Sequence, residues 1–159
     1  MDHPELAFGD DGDIVSIWVG SLGNREAVDA YIQEQYDEDR DDEPISPFAA
    51  DIGLKSYDHD FMEVEYAPGL SNLGVTAFAR HSYGQSFGDA AWVAAAGKGI
   101  AEFDTVLMLH GYDHVRYPQA ARQPTRVRFV GTFPFIKPRD EWFERLCAGE
   151  FDHLPPGSY

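Results

Sequence analysis

Two histidines stand four residues apart, at His110 and His114, and Asp113 lies between them. On a helix this spacing would place two imidazole metal ligands on one face. The segment follows an apolar run and contains Gly111, which favours a turn, and the sequence fixes no third ligand. We therefore expect ordinary polar residues at the end of a strand, with no metal and no cofactor.

A denser group of polar and aromatic side chains lies between residues 57 and 65 and consists of Tyr57, Asp58, His59, Asp60, Phe61, Glu63 and Glu65. Carboxylates beside a histidine can perform acid–base catalysis or hold a hard cation. The segment lacks the glycine that punctuates a calcium-binding loop. We favour a surface that recognises a partner protein. The alternative is a small metal-dependent or acid–base enzyme that uses Asp58, His59, Asp60 and Glu63, together with His110 and His114.

Motifs for covalent or nucleotide chemistry are missing from the sequence. No Gly-x-Ser-x-Gly nucleophile turn occurs, and the glycines near Lys98 form neither of the common phosphate-binding motifs. Cys147 lies on the apolar stripe of a short predicted helix, where we expect a buried and unreactive thiol. We therefore expect a protein without enzymatic activity.

The acidic residues are concentrated in the first half of the chain. The 159 residues include 28 Asp and Glu against 12 Lys and Arg, which gives a net charge of −16. Residues 1–79 carry the whole excess, with 19 acids and three bases, whereas residues 80–159 carry nine of each. This distribution disfavours binding to nucleic acid or anionic lipid. The small basic group Arg122, Arg126 and Arg128 is expected to balance nearby acids.

The spacing of apolar residues predicts the elements that position these groups. We expect strands at 13–19, 61–66, 103–109 and 126–135, and helices at 25–36, 48–49, 71–80, 90–96 and 140–148. Asn24 is expected to cap the first helix, and Ser86 and Asp89 have the spacing of a capping box. The order predicts an α+β (mixed α/β) fold: one two-layer domain over residues 1–159, with a sheet of about four strands and helices packed on it, and with loose ends at 1–11 and 150–159.

The chain has no segment that resembles a membrane span. Residues 66–79 form its longest stretch without a charged side chain, and glycine, proline and polar residues interrupt it. The first residues show neither a basic start nor an apolar run, so we expect no secretory signal. A single cysteine, Cys147, cannot form an internal disulfide. We therefore expect a cytoplasmic protein.

Short aromatic and acidic motifs follow one another along the first part of the chain, in the segments 14–20 (IVSIWVG), 25–31 (REAVDAY), 36–39 (YDED), 46–53 (SPFAADIG) and 57–63 (YDHDFME). Together they resemble the immunity protein 22 family, whose members are predicted antidotes encoded beside bacterial polymorphic toxins. The resemblance covers residues 13–66 well, and it is weaker through 82–87 and the last two expected strands.

The resemblance implies a mixed α/β fold, binding to a toxin and no catalytic residues. The matching positions that can face outward are Asp37, Glu38, Asp39, Asp58, Asp60 and Glu63. Trp18 and Phe48 also match, but their apolar neighbours favour a place in the core. The resemblance does not extend to the loop 111–125 or to the tail after Pro138, which we expect to be specific to this chain.

A negative surface that binds a basic toxin is the function that we expect. Nuclease toxins hold phosphate with Lys and Arg, so an inhibitor can place carboxylates where the phosphates would lie. The acidic run 37–43 continues into Asp51 and the group at 57–65, which predicts a broad negative face. The expected partner-binding residues are Tyr36, Asp37, Glu38, Asp39, Asp41, Asp42, Glu43, Tyr57, Asp58, Asp60, Glu63 and Glu65, with the tyrosines as anchors. The same run also fits a loop tip that only keeps the protein soluble.

Overall fold

A four-stranded antiparallel sheet organises the protein. The computed structural model describes residues 6–7, 12–35, 44–57, 59–116 and 126–136. The sheet consists of β2 (Ile14–Gly20), β4 (Met62–Tyr66), β5 (Thr105–His110) and β6 (Val127–Pro134), in the order β4-β5-β2-β6. Two short strands, β1 (Leu6–Ala7) and β3 (Ser56–Tyr57), pair in parallel with each other.

Helices and 3-10 turns connect these strands. The helices in the described residues are α1 (Arg25–Ile32), α2 (Pro47–Ile52), α3 (Thr76–Ala79) and α4 (Gly88–Gly97), with 3-10 turns at His59–Phe61, Leu70–Leu73, Gly84–Ser86 and His114–Arg116. None of these helices combines the length and the apolar composition that a bilayer crossing requires.

Apolar side chains of the central strands point to both faces of the sheet. Val106 and Met108 of β5 pack with residues of α3 and α4, whereas Leu107 and Leu109 pack with residues of α1 and α2. We call these two sides the α3–α4 face and the α1–α2 face. Every residue of β5 is buried because helices cover both sides of the strand.

The structure confirms the α+β class and the single sheet of four strands with helices packed on it. Helices on both faces add a layer to the two that we expected. The N-cap at Asn24 is confirmed, because its Oδ1 accepts a hydrogen bond from the amide of Ala27. The capping box at Ser86 is wrong: α4 begins without a side-chain cap, and Ser86 Oγ donates to the carbonyl of Tyr83. The helix expected at 140–148 and the tail at 150–159 lie outside the described residues.

A β-bulge in β6 changes which side chains face each core. Adjacent residues of β2 pair with Phe129 and Gly131, which leaves Val130 as the extra residue. Phe129 packs on the α1–α2 face, whereas Phe133 and Phe135, beyond the bulge, pack on the α3–α4 face. Gly131 has a φ of +156°, and a Cβ there would lie 2.8 Å from the ring of Phe133. The strict alternation expected for 126–135 therefore holds only as far as the bulge.

The antiparallel register aligns the strand ends in two groups. One group, which we call the cleft end, contains Ile14, Met62, His110 and Pro134. The opposite group contains Gly20, Tyr66, Thr105 and Val127. We call it the basic end, because Arg126 and Arg128 line a cavity there beside Gly20.

Candidate functional site

An open cleft lies at the cleft end of the sheet. Its volume is about 380 Å³, and its lining includes Asp13, Asp60, Glu63, Tyr83, His110 and Phe135. These residues come from five places in the chain: the start of β2, the turn before β4 and β4 itself, the segment after α3, the end of β5 and the residue after β6. The sheet register and the bulge therefore assemble a site that no single segment contains.

Hydrogen bonds from the chain after α3 fix Glu63 in the cleft. Its Oε1 and Oε2 accept from the amide of Ser82 at 3.2 and 3.3 Å, and its Oε2 lies 3.3 Å from Nδ1 of His81. Because an ionised carboxylate only accepts, His81 donates this bond. The bond from His81 is the main reason that the pKa of Glu63 falls to about 2, although partial burial acts in the opposite direction. Glu63 is therefore an ionised and fixed carboxylate.

Glu65, two residues further along β4, is enclosed by the same segment. Its side chain is 14% exposed, forms an ion pair with Arg80, and has its Oε1 2.9 Å from Nε2 of His81. These two buried atoms lack the alignment of a hydrogen bond. We expected Glu65 at a partner-binding surface, and its internal contacts correct that expectation.

Tyr83 and Phe135 form a flat aromatic wall beside the carboxylates. Their ring centroids are 4.8 Å apart with planes inclined by 7°, and the ring of His110 meets Phe135 edge-on at 5.4 Å. Among the described residues, Tyr83 is the one non-glycine residue with a positive φ, at 60°. A Cβ on the next residue, Gly84, would lie 2.4 Å from the carbonyl oxygen of Ala79. This close approach and the left-handed conformation together aim the tyrosine ring at the cleft.

The 3-10 turn before β4 supplies the accessible rim. The side chain of Asp60 is 78% exposed, and Phe61 is 42% exposed. The ring of His59 lies between two carboxylates, 3.4 Å from Glu34 on one side and 3.4 Å from Asp60 on the other. The rim is therefore in contact with the segment that follows α1.

A family model described as Immunity protein 22 matches residues 15–135, from the second residue of β2 to the residue after β6. The chain belongs to the immunity protein 22 family. This confirms the predicted family and supports an immunity role in general. No curated protein and no solved structure matched the chain. The matched region contains every cleft residue named above except Asp13.

Most residues that we expected this immunity protein 22 chain to use for partner binding lie outside the described residues, namely Tyr36, Asp37, Glu38, Asp39, Asp41, Asp42, Glu43 and Asp58. Asp60 and Glu63 lie together at the cleft. The described part of the predicted site is therefore a small group at one end of the sheet.

Tyr57 is a core residue, which corrects its expected role as an anchor. It is 2% exposed, and its ring centroid lies 5.9 Å from that of Phe48. Its hydroxyl shares a hydrogen bond with Ser46 Oγ at 2.9 Å. The side chain completes the α1–α2 core and does not reach the surface. Trp18 and Phe48 are fully buried in the same core, as expected.

Asp51, which we expected to continue the negative face, lies in internal contacts instead. Its Oδ2 accepts from the hydroxyl of Tyr31 at 2.8 Å and from Arg126 at 3.0 Å. Burial, followed by the hydrogen bond to Asp51, raises the pKa of the Tyr31 hydroxyl above its ordinary value. The carboxylate of Asp51 therefore supports the fold and is not part of an exposed acidic surface.

The two histidines of the enzyme hypothesis lie on opposite faces of the sheet. His110 faces the cleft, whereas His114 packs at 5.1 Å from the ring of Trp18. Burial lowers the pKa of His114 to about 4, so this ring is neutral at pH 7. Within the described ranges, no group of three or more His, Cys, Asp or Glu side chains is arranged to hold a metal. Of the residues in the enzyme hypothesis, Asp60, Glu63 and His110 line the same cleft, whereas His114 lies away from it.

Sequence reasoning missed Asp13, His81, Tyr83 and Phe135 as members of the site. The segment 82–87, which contains Tyr83, resembles the family only weakly. An aromatic residue followed by glycine in a polar loop is the local signal that could have indicated Tyr83. Phe135 gave no such signal, because the bulge decides which face it occupies.

Proposed function

We propose that this member of the immunity protein 22 family binds and neutralises a cognate toxin domain of a bacterial polymorphic toxin system, without chemistry of its own. The observation that carries the proposal is the family match over residues 15–135. The state of Glu63 supports binding over catalysis. A carboxylate with a pKa of about 2 is a poor proton acceptor at neutral pH, but it is a permanent negative charge.

A nuclease is the class of toxin that the charge of this protein favours. The net charge is −16, and the whole excess lies in residues 1–79. Nucleases bind phosphate through Lys and Arg, so their working surface attracts a protein of this kind. Complementary charge raises the rate of encounter and selects against anionic competitors. We place this encounter in the cytoplasm, because a chain with a single cysteine forms no internal disulfide and so does not depend on an oxidising compartment.

The strongly acidic run is attached to the protein next to the cleft. The amide of Gln35 donates to the carbonyl of Ile45 at 2.8 Å, so the chain leaves and returns at one place. Glu34, beside that place, lies 3.4 Å from His59, which in turn lies 3.4 Å from Asp60 of the cleft rim. A partner that docks at the cleft is therefore near the attachment point of the run 37–43.

Co-expression with the product of the adjacent gene tests the proposed function. We expect the two proteins to purify together at low salt, and we expect the purified complex to lack the nuclease activity of the free toxin. The proposal would be contradicted if the product of the adjacent gene is not toxic, or if it is not retained by this protein at low salt.

The contribution of the acidic run has a matched control in the neutral half of the chain. Changing Asp37, Asp39, Asp41 and Asp42 to Asn should slow association with the toxin by about tenfold at low salt and leave dissociation nearly unchanged. The control changes Glu141, Glu144, Glu150 and Asp152 to their amides, which alters the net charge equally. Stopped-flow association rates compare the two variants, and equal rates would exclude a special role for the run.

A further inference from the structure

The cleft presents a net negative charge to whatever enters it. Asp13, Asp60 and Glu63 line it, and no Lys or Arg is among its lining residues in the described part of the chain. The volume of about 380 Å³ lies near the lower limit for pockets that bind small molecules, which is about 300 Å³. A single long side chain is therefore an occupant of suitable size, and its head group should be cationic.

The fixed geometry of Glu63 prepares the cleft for a cation. Its two oxygens are held by Ser82 and His81, so the carboxylate does not have to reorganise when a ligand arrives. Asp60 supplies a second carboxylate at the rim, and its side chain is accessible to solvent. One anchored charge and one accessible charge can approach the same cation from two directions.

The aromatic wall distinguishes between the two basic side chains. Tyr83 and Phe135 stack within 7° of parallel, and Tyr83 is 36% exposed. A guanidinium group is planar and weakly hydrated, so it can stack on a tyrosine face and still donate several hydrogen bonds in its plane. An ammonium group is a compact, strongly hydrated point charge that gains less from a flat wall. The combination therefore fits arginine better than lysine.

The backbone of Tyr83 supports a role for its ring beyond packing. Its φ of 60° is a conformation that favours glycine, asparagine or aspartate over tyrosine. Such a residue persists when the surrounding structure or a function requires its side chain. Here the ring lines the cleft and stacks on Phe135.

We propose that this cleft receives an arginine side chain of the toxin, with the guanidinium stacked on Tyr83 and paired with Glu63 and Asp60. This rests on the proposed function, because it names the group by which the basic partner is held. The arginine anchors the complex, while the acidic run 37–43 accelerates its formation.

A small-molecule probe tests the cleft without the toxin. N-acetyl-arginine N-methylamide is titrated into isotope-labelled protein, and NMR records the backbone amides of Ser82, Tyr83 and Gly111. We expect saturable shifts at millimolar concentration, as suits a single side chain held by a few contacts. The neutral citrulline analogue should give none and the lysine analogue a weaker response. Equal shifts from all three probes, or no shifts from the arginine probe, would overturn the proposal.

Two variants and one control carry the test to the toxin. Tyr83→Gly removes the tyrosine ring at a position whose positive φ glycine adopts without strain. We expect Kd for the toxin to rise at least tenfold, mainly through faster dissociation. Asp60→Asn should raise Kd about fivefold, with the effect shrinking at high salt. Glu102→Gln neutralises an exposed carboxylate in the cavity at the basic end and should leave Kd unchanged.

The two proposals fail in different ways. If the unaltered protein neutralises the toxin and both cleft variants bind as tightly as the control, the arginine site is refuted and the immunity function stands. If the unaltered protein does not bind the toxin, the immunity function is refuted, and the arginine titration still decides whether the cleft binds a guanidinium.

Discussion

The two ends of the sheet use their charged side chains differently. At the basic end, each cationic group among the described residues is bonded within the chain. Arg126 pairs with Asp51 at 3.0 Å, Arg128 donates to the carbonyl of Lys98 at 2.8 Å, and Lys98 donates to the carbonyl of Phe129 at 3.2 Å. These bonds tie β6 to α2 and to the end of α4, so the charges at this end support the fold.

At the cleft end, one charge is enclosed by internal bonds, whereas another, which lies beside His59, remains exposed to solvent. Glu63 is held by the segment after α3, whereas the side chain of Asp60 is 78% exposed. Tyr83 adds an exposed ring in a left-handed conformation. The comparison teaches that charge alone does not identify a binding surface. What separates the ends is an accessible carboxylate beside a preformed wall.

Charge reversal at each end should give the largest contrast. Asp60→Lys places a cation where the cation of the toxin is expected, and like charges in such contact cost several kcal/mol, so we expect affinity to fall by about 3 kcal/mol. Glu102→Lys changes the net charge equally at the basic end and should cost less than about 0.5 kcal/mol. Titration calorimetry measures both, and equal losses would show that only the net charge matters.

Acid should destabilise the protein in two steps, one of which belongs to the cleft. The neutral His114 has a pKa of about 4 in the folded state against 6.5 for a free histidine, so the unfolded chain binds more protons below pH 6.5. Stability is then complete above pH 6.5 and falls by about 3 kcal/mol as the pH drops to 4. The depressed pKa of Glu63 gives a second fall between pH 4.5 and about 2.

Urea unfolding at a series of pH values separates these steps. In Glu63→Gln the second fall should disappear while the first remains, because His114 lies on the opposite face. A variant that retains the full acid sensitivity below pH 4.5 would show that the hydrogen bonds of Glu63 do not stabilise the cleft end.

The bulge should be the next most sensitive feature. Gly131→Ala forces alanine to a φ of +156° and a Cβ to 2.8 Å from the ring of Phe133, so we expect a loss of about 2 kcal/mol in the free energy of unfolding. Gly97→Ala, at the exposed end of α4 with no atom within 4 Å of the new Cβ, should instead be neutral or slightly stabilising. Chemical denaturation compares them, and similar values would contradict a strained bulge.

The smallest effect should be the stability of Tyr83→Gly. Glycine relieves the left-handed conformation but loses the stacking on Phe135, and each contribution is about 1 kcal/mol, so the net change should stay within about 1 kcal/mol. Tyr83→Ala keeps the strain and loses the stacking, so it should be the less stable of the two in thermal unfolding. If the alanine variant is the more stable, the left-handed conformation at this position does not strain a non-glycine residue.

Much of the fold was predictable because it depends on local patterns. Alternating apolar residues located β4 and β6, continuous apolar runs located β2 and β5, and Asn24 indicated the start of α1. The second covered face was not predicted, because a strand that is buried on both sides shows no alternation to reveal which helices cover it. The capping box at Ser86 was wrong for a different reason, because the hydroxyl of that serine donates to the carbonyl of Tyr83 instead of accepting from a helix amide.

The candidate site was predictable only in part. Asp60 and Glu63 stand in a conspicuous acidic motif, whereas Tyr57 belongs to the same motif and is buried. Proximity in sequence could not separate them, because the turn before β4 directs the two parts of the motif to different sides of the sheet.

The sequence by itself determined the class of the fold, the excess of negative charge and the family, because these depend on composition and on short motifs that can be recognised in the sequence directly. Only the tertiary structure decided which carboxylates are accessible and which are enclosed. It also decided that Tyr83 and Phe135 meet at the cleft, because their contact depends on a left-handed residue and a one-residue bulge that lie far apart in the chain.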